Sequence, residues 1–260
     1  MKIVIAGYGY VGKAVEAALK SYHDIRVVDP AINDDTINSK IYDALIICVS
    51  TPEGLDGWCN MQNVYDVVKQ SAYKPILIKS TISLEGWKHL AEEVPEKDIS
   101  FSPEFLRANT ALEDFAQQKT MYISENNFDF WAQIFRQAFP DISFKTAAAE
   151  ELILTKYLRN SFLALKVAYF NQVKDLCDAT FTDFETVRRY VTDDERIGDN
   201  HSYVTEEKGF GGHCFPKDTA AILNSARDVG EEFSILRKAV SYNRSCLLYT
   251  SDAADDSRSV

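Results

Sequence analysis

The N-terminal segment, residues 1–29, constrains the fold of this chain more than any other stretch. An apolar run at residues 2–6 predicts a buried parallel strand, and Gly7-Tyr-Gly9-Tyr-Val-Gly12 and a helix-forming run follow it directly. Gly7 suits a tight turn, Gly9 lets backbone N–H groups approach a pyrophosphate, and Gly12 lets the helix pack closely on the strand. Strand, glycine turn and helix in this order predict a dinucleotide-binding βαβ unit.

An acidic residue ends the second apolar run, residues 25–28, about one βαβ unit after the glycine turn. A carboxylate at this place binds the ribose hydroxyls of adenosine and repels a 2′-phosphate. Asp29 therefore favours NAD over NADP as the cofactor. The alternative is a glycine turn in some other kind of α/β domain.

Apolar runs and helix-forming stretches go on alternating as far as residue 144. The predicted strands cover residues 44–49, 76–78, 99–101, 121–123 and 142–144, and the predicted helices cover residues 63–70, 84–93, 110–117 and 128–139. This alternation predicts an α/β fold with a doubly wound sheet, a Rossmann domain. Ligands bind such sheets at the carboxyl ends of the strands, so the polar turns at residues 50–52, 79–81 and 102–106 are candidate site residues.

A single long helix is predicted over residues 148–178, because this stretch has no Gly or Pro and its apolar residues recur at helical spacing. The apolar stripe comprises Leu152, Tyr157, Leu158, Phe162, Leu165, Tyr169, Val173 and Leu176. So much apolar surface needs cover on more than one side, and we expect a homodimer formed through this central helix. Lys156 and Asn160 are four residues apart and therefore share a helix face.

Three further helices, a polar loop and a short tail complete the predicted organisation. Residues 184–191, 218–227 and 233–248 are predicted helices, and residues 193–208 are a polar loop. The domains are then an NAD-binding Rossmann domain at 1–147 and a helical dimerisation and substrate domain at 148–248. The tail at 249–260 has too few apolar residues to pack, resembles a translated sequencing adapter, and is predicted to be disordered.

Composition argues against several kinds of partner. The chain has 260 residues, of which 46% are apolar, and a formal net charge of −11. Nucleic acids and anionic membranes are also negatively charged, so this net charge argues against both as binding partners. The longest apolar run, residues 44–49, is too short to span a bilayer, and without a signal-peptide pattern we expect a cytoplasmic location. The five cysteines show no metal-ligand spacing, so we expect no bound metal.

One cysteine lies in a distinctive setting, the run Gly209-Phe-Gly-Gly-His-Cys-Phe-Pro-Lys-Asp218. Glycines let the backbone approach a ligand, and Pro216 suits the first turn of a helix. A thiol at the start of a helix lies near the positive end of the dipole, which favours the reactive thiolate. Cys214 is therefore a candidate nucleophile; the alternative is a core cysteine in a glycine loop. A Cys214–His213 dyad is disfavoured because adjacent side chains usually point apart.

Five motifs in this order resemble those of the UDP-glucose/GDP-mannose dehydrogenase family. They are Gly7-x-Gly9-x-x-Gly12, Lys79-Ser-Thr81, Ser102-Pro-Glu-Phe-Leu-Arg107, Lys156-Tyr-Leu-Arg-Asn160 and the Gly209 to Asp218 run. The resemblance covers residues 1 to about 245. It implies that two NAD oxidise the C6 alcohol of a nucleotide sugar to a carboxylate, with UDP-glucose to UDP-glucuronate the first candidate reaction.

The resemblance also implies roles for individual residues. Cys214 would form a thiohemiacetal with the intermediate aldehyde and then a thioester, which water hydrolyses. Lys156 and Asn160 would stabilise the oxyanion. Asp218 and Thr81 would orient or activate a water, and Glu104 would act as base in the hydrolysis.

The residues expected to contact NAD are Gly7, Gly9, Tyr10, Val11, Gly12, Asp29, Thr51, Thr81 and Lys217. Those expected to bind the substrate are Glu104, Phe105, Leu106, Arg107, Lys156, Asn160, Arg196, Phe210, Gly211 and Gly212, with Arg196 reaching the neighbouring subunit's substrate.

Two departures from the family leave alternatives open. Ala108 stands where the family commonly has a second carboxylate, so a substrate or cofactor contact is either lost or supplied by another residue, with Asn109 as the candidate. The C-terminal UDP-binding domain of the family is also expected to be missing. A two-electron dehydrogenase of the β-hydroxyacid type, or a truncated NAD-binding dimer without turnover, are the alternative functions.

Overall fold

The computed structural model describes residues 1–38, 41–54, 57–72, 74–212 and 214–256. The chain divides into two compact units, Met1–Lys156 and Tyr157–Val260. The sequence predicted a boundary after residue 147, whereas the division falls nine residues later, inside the long helix. The first residues of that helix belong to the first unit. There the Trp87 indole N–H donates a hydrogen bond to Glu150 Oε1 at 3.2 Å, which links the start of the helix to the rest of the unit.

The first unit alternates strands and helices. Its elements are β1 (Lys2–Ala6), α1 (Tyr10–Leu19), β2 (Asp24–Val28), β3 (Ala44–Ile47), α2 (Gln62–Gln70), β4 (Ile76–Ile78), α3 (Leu84–Glu93), β5 (Ile99–Phe101), a 3₁₀ turn (Ala108–Thr110), α4 (Ala111–Ala116), β6 (Thr120–Ser124), α5 (Phe128–Ala138) and β7 (Ser143–Ala147). Each predicted strand and helix of this region is present, and most boundaries lie within two residues of the prediction.

Five parallel strands form the main sheet, in the order β2-β1-β3-β4-β5. The chain first adds β2 on one side of β1 and then β3, β4 and β5 on the other, which is the doubly wound topology that the sequence predicted. Strands β3, β4 and β5 consist of buried residues throughout. Burial on both faces explains why these strands are continuous apolar runs rather than alternating ones.

The last two strands do not extend that sheet, although the sequence placed them in it. Strands β6 and β7 pair in parallel with each other as a separate two-stranded sheet. The Phe101 N–H of β5 donates to Ser124 Oγ at 2.8 Å, and Ser100 Oγ donates to the Asn126 carbonyl at 2.6 Å. Side-chain bonds of this kind take the place of a backbone ladder between β5 and β6.

Aromatic side chains from the helices cover the main sheet. Trp131 and Phe135 of α5 and Phe115 of α4 are fully buried in one apolar cluster with residues of β1 and β3. Burying a large apolar side chain contributes about 1.5–3 kcal/mol. This packing makes the sheet a rigid platform for the loops at its edges.

The second unit is helical. It contains most of α6 (Ala149–Ala179), followed by α7 (Phe184–Thr192), α8 (Phe215–Asp228) and α9 (Ser234–Asp256). Helix α6 matches its prediction to within one residue at each end. Helix α8 begins three residues before the predicted start, with Pro216 in its first turn as expected.

Helix α9 continues past the predicted end at residue 248 and includes residues 249–256, where disorder was expected. Alanine is the strongest helix former, and Ala253 and Ala254 favour this continuation. Residues 257–260 lie outside the described residues. Within the described part of the chain, no helix is both long and apolar enough to cross a membrane.

Candidate active site

The carboxyl ends of all five strands of the main sheet lie level with one another. Val28, Ala6, Ile47, Ile78 and Phe101 pair in register across the sheet. The residues that come next along the five strands are Asp29, Gly7, Cys48, Lys79 and Ser102. The glycine turn, the acidic residue and the polar turns singled out in the sequence therefore leave the sheet along one edge.

The glycine turn has little room for side chains at two of its three glycines. Gly7 has a φ of +92°, and a Cβ there would lie 2.6 Å from the backbone of Cys48. A Cβ on Gly12, within α1, would overlap the Gly7 carbonyl oxygen. By contrast, a Cβ on Gly9 would meet no described atom within 4 Å. Open space at the start of a helix, where backbone N–H groups point outward, suits a bound pyrophosphate.

Asp29 fixes the conformation of this turn. Its Oδ2 accepts a hydrogen bond from the Tyr8 N–H at 2.7 Å, and its Oδ1 accepts one from the Ala31 N–H at 2.8 Å. The Gly7 N–H donates to the Val28 carbonyl at 2.9 Å. The carboxylate expected to bind adenosine ribose thus also anchors the glycine turn beside it.

Two alanine substitutions separate ligand binding from packing in this turn. Gly9→Ala should leave the unfolding midpoint unchanged, because the backbone at Gly9 is extended and its surroundings are open. It should weaken NAD binding about tenfold, since the methyl group lies where the pyrophosphate approaches. Gly12→Ala should lower stability by about 1–3 kcal/mol through overpacking. Calorimetric titration with NAD and thermal unfolding would check both; equal NAD affinity of Gly9→Ala and the unmodified chain would contradict the expectation.

A buried cation lies after β4. The Lys79 ammonium forms an ion pair with the Glu104 carboxylate and donates a hydrogen bond to Ser102 Oγ at 3.0 Å. Lys79 is 1% exposed and Glu104 is 6% exposed. The rings of Phe115 and Phe135 also face the Lys79 ammonium, at 5.8 and 5.4 Å from its nitrogen. Lys79, which directly follows β4, therefore holds Ser102 and Glu104 of the turn after β5 in place.

The backbone of Glu104 contacts a second lysine. The Lys156 ammonium donates to the Glu104 carbonyl oxygen and lies 5.9 Å from the centre of the Phe105 ring. Within the first unit, the structure thus brings together three predicted site residues, Glu104, Phe105 and Lys156. Since the Glu104 carboxylate is already engaged with Lys79, its role as hydrolytic base stays a prediction.

The predicted substrate residue Arg107 is tied to Asp114 in α4. Its guanidinium donates to both carboxylate oxygens, with Nη2–Oδ1 at 2.6 Å and Nε–Oδ2 at 3.0 Å. These hydrogen bonds hold the pKa of Asp114 well below its usual range. The pair orients the start of the 3₁₀ turn that contains Ala108, and Leu106 beside it packs against the apolar core.

The turns after β3 and β4 hold two predicted cofactor residues and two cysteines. Thr51 is buried, and Thr81 accepts a hydrogen bond at its carbonyl from Cys59 Sγ at 3.4 Å. Burial raises the pKa of the Cys48 thiol to about 12, against the opposing effect of the nearby Lys79 charge. Cys48 is therefore protonated at neutral pH and unsuited to nucleophilic attack.

In the second unit, Cys214 occupies the N-cap position of α8. It is half-buried, whereas Cys48, Cys59, Cys177 and Cys246 are buried. The Asp218 N–H donates to the Cys214 carbonyl at 2.8 Å, which closes the first turn of the helix. The thiol thus has the position at a helix N-terminus that the sequence predicted. His213 lies outside the described residues.

Three predicted site residues of the second unit are bonded to one another. Asp218 Oδ2 accepts from the Asn160 side-chain amide at 2.5 Å, and its Oδ1 pairs with the Lys217 ammonium at 2.8 Å. Asp218 is 1% exposed. Its described contacts orient Asn160 and Lys217, while its expected role in orienting water, like the contact of Lys217 with NAD, stays a prediction.

The loop after α7 presents Arg196 to solvent. The Arg196 side chain is 88% exposed and pairs with Asp194 at 2.5 Å. Lys166 of α6 holds the loop by donating to the carbonyl oxygens of Ile197 and Gly198, at 2.8 and 2.6 Å. An arginine on a fixed, exposed loop is compatible with the predicted reach to a neighbouring subunit, which stays a prediction.

Two residues near the cysteine turn escaped the sequence analysis. Asn171 and Asn243 are buried and hydrogen-bonded to the backbone of Gly209 and Phe210. The sequence pattern could have identified Asn243, because it lies on the same helical face as the buried residues Leu236 and Cys246. A polar residue inside an apolar stripe needs a buried partner.

The doubly wound sheet, the glycine turn and the acidic residue after β2 define a dinucleotide-binding α/β protein, here followed by a helical unit with a half-buried cysteine. Comparison with known protein families identifies the family within this class. Residues 31–137 match the NAD-binding domain of the UDP-glucose/GDP-mannose dehydrogenase family, and residues 149–245 match its central domain. The chain belongs to this family, as the five motifs suggested.

Individual relatives agree with this assignment. The chain is 30% identical over 249 residues to a UDP-glucose 6-dehydrogenase of Rickettsia felis, covering 90% of this chain and 53% of the relative. It is 30% identical over 217 residues to the UDP-glucose 6-dehydrogenase YwqF of Bacillus subtilis, covering 77% and 48%. The chain thus spans about half the length of these curated relatives.

Solved structures show the same fold. A UDP-glucose dehydrogenase from the archaeon Pyrobaculum islandicum is similar with a TM-score of 0.82 and 25% identity, over 94% of this chain and 68% of that one. A UDP-D-ManNAc dehydrogenase from Pyrococcus horikoshii has a TM-score of 0.83 at 17% identity, over 98% of this chain and 71% of that one. The second likeness concerns the fold alone.

Proposed function

We propose that this chain carries the dehydrogenase chemistry of a nucleotide-sugar 6-dehydrogenase, with UDP-glucose as the first candidate substrate and UDP-glucuronate as its product. The half-buried Cys214 at the start of α8 is the observation that carries the proposal. The family assignment and the relatives named UDP-glucose 6-dehydrogenase support it. A cytoplasmic enzyme of this kind would supply uronic acids for surface polysaccharide.

NAD fits the edge of the sheet. The open backbone at Gly9 leaves room for the pyrophosphate, and the Asp29 carboxylate suits the ribose hydroxyls of an unphosphorylated adenosine. Helix α1 begins at Tyr10 and Val11, whose backbone N–H groups would bind the pyrophosphate anion. When bound, NAD supplies the hydride acceptor for the oxidation.

Cys214 would keep the sugar bound covalently between the first oxidation step and the second. Converting a primary alcohol to a carboxylate removes four electrons, so two NAD are reduced per sugar and water supplies the second oxygen. The Cys214 sulfur would bond to the aldehyde carbon, prevent its escape, and leave as a thiol when water hydrolyses the thioester. Lys156 and Asn160, both in α6, would stabilise the oxygen anion, and one such donor is worth about 3 kcal/mol.

The proposal is tested by counting products. The chain is incubated with NAD and a panel of UDP- and GDP-sugars, and NADH is counted per acid formed. Two NADH per acid support the proposal. One NADH per product would point to a two-electron dehydrogenase of the β-hydroxyacid type. Retained NAD binding without NADH from any sugar would point to a dimeric binding protein without turnover.

A homodimer through α6 is the second part of the proposal. Leu158, Phe162, Tyr169 and Leu176 of α6 are 42–66% exposed in the single chain. Their spacing of four and seven residues places them along one side of the helix. Large apolar side chains in such a row are typical of a surface that another subunit covers.

Phe162→Asp should dissociate this dimer. A buried charge at a central aromatic contact costs about 2 kcal/mol or more, which raises the dissociation constant about thirtyfold. Light scattering coupled to gel filtration over a dilution series would show the change from dimer to monomer at about thirtyfold higher protein concentration than in the unmodified chain. Ile235→Asp, the same kind of change at an exposed residue of α9, is the control and should stay dimeric. A dimer of unchanged stability in Phe162→Asp would refute the role of this helix face.

A further inference from the structure

The backbone of Gly209 and Phe210 is held by two asparagine side chains. Asn243 of α9 accepts a hydrogen bond from the Phe210 N–H at 2.5 Å and donates one to the Phe210 carbonyl oxygen at 2.9 Å. Asn171 of α6 accepts a hydrogen bond from the Gly209 N–H at 2.9 Å. Because one amide pairs with both backbone groups of Phe210, it fixes the orientation of that residue as well as its position.

Burial makes these contacts strong determinants of the local backbone. Asn171 and Asn243 are 1% and 5% exposed. Buried amides need hydrogen-bond partners, because water is not available to replace a lost one. The remaining described contact of Asn171 goes to the Val167 carbonyl in its own helix, at 2.8 Å. The two side chains therefore act mainly on the segment before the cysteine.

Gly209 is suited to this arrangement in two ways. Its φ of +67° lies in the left-handed region that favours glycine. A Cβ at this position would also overlap the Oδ1 atom of Asn243. The glycine thus provides both the backbone conformation and the space for the asparagine amide.

The segment is anchored at its other end as well. The buried Phe210 ring packs edge to face against Phe215 in the first turn of α8, with ring centres 6.3 Å apart. Between these anchors lie Gly211 and Gly212, where a Cβ would meet no described atom within 4 Å. Glycines in open surroundings have many accessible conformations, so the anchors determine where the turn carries Cys214.

We propose that Asn171 and Asn243 are positioning residues for Cys214. They act through the backbone of Gly209 and Phe210 and hold the glycine turn in one conformation, which sets the approach of the thiol to its substrate. This inference rests on the nucleophilic role proposed for Cys214. Neither asparagine needs to touch substrate or cofactor.

The test compares Asn243→Ala with the unmodified chain and with Phe184→Leu. Phe184 is buried in a separate apolar cluster with Phe170 and Cys177, so its replacement lowers stability without contact with the turn. Alkylation of Cys214 by iodoacetamide is followed by mass spectrometry of its peptide. Hydrogen exchange is measured for the peptide that contains residues 209–210.

In Asn243→Ala we expect Cys214 alkylation to rise about fivefold and amide exchange at residues 209–210 to rise about tenfold, because the turn opens locally. Phe184→Leu should change either rate by less than about twofold. Equal alkylation and exchange rates in the two variants would overturn the proposal. If Asn243→Ala does not fold, Asn171→Ala carries the test, with about a fourfold rise in each rate expected from the loss of one hydrogen bond, above the limit set for Phe184→Leu.

An activity measurement separates this inference from the function on which it rests. If the unmodified chain oxidises a nucleotide sugar, Asn243→Ala should lower kcat about tenfold and leave the KM for NAD unchanged, because the described hydrogen bonds of Asn243 go to Phe210 and to none of the residues expected to bind NAD. An unchanged kcat would contradict the inference. If the unmodified chain forms no NADH, the proposed function fails, and the alkylation and exchange rates still decide whether the asparagines position the cysteine.

Discussion

Replacing Cys214 by serine is expected to lower the rate of carboxylate formation about a thousandfold, with at most one NADH formed per sugar. A serine hydroxyl has nearly the size of the thiol but is a much weaker nucleophile unless a neighbouring base activates it. The carboxylate of Asp218, four residues further along α8, is already engaged with Asn160 and Lys217. The measurement is steady-state NADH production together with quantification of the acid.

Cys177→Ala is the matched control for this substitution. Cys177 is buried in an apolar cluster near the end of α6, and removing its sulfur should affect stability rather than catalysis. Iodoacetamide should label Cys214 ahead of the four buried cysteines and should abolish acid formation in parallel with labelling. Acid formed by Cys214→Ser at the original rate, with two NADH per sugar, would exclude a covalent intermediate on this sulfur.

Local sequence patterns predicted the elements that depend on nearest neighbours along the chain. Strand β1 was predicted to the residue, because an apolar run meets a glycine that must turn sharply. Strand β7 was misplaced by one residue at its start and three at its end, since its side chains are mostly exposed or half-buried and form no apolar run. Periodicity identifies an element only where burial imposes it.

Long-range partners could not be read from the sequence. Lys79 and Glu104 are 25 residues apart, and only the register of β4 with β5, which pairs Ile78 with Phe101, brings the turns that follow them together. The same is true of Asn243, whose partner Phe210 lies 33 residues earlier in the chain. The sequence indicated where polar residues leave the sheet or interrupt an apolar face, but not which of them pair.

Lys79→Met is expected to destabilise the first unit by about 3–5 kcal/mol, the typical result of removing one partner from a buried ion pair. The substitution leaves the Glu104 carboxylate buried at the edge of the sheet without its cation, and it also removes the hydrogen bond to Ser102. Urea unfolding monitored by tryptophan fluorescence measures the loss, since Trp131 is buried in the core of this unit.

An exposed pair on the same unit provides the control. Lys69 and Glu93 form an ion pair of 2.7 Å on side chains that are 53% and 33% exposed, so Lys69→Met should cost no more than about 1 kcal/mol. Adding Glu104→Leu to Lys79→Met should recover much of the stability, because two apolar side chains replace a lone buried charge. Equal losses of unfolding free energy in Lys79→Met and Lys69→Met would mean that the Glu104 carboxylate has access to water. Lys79 would then not hold the turn after β5 in place.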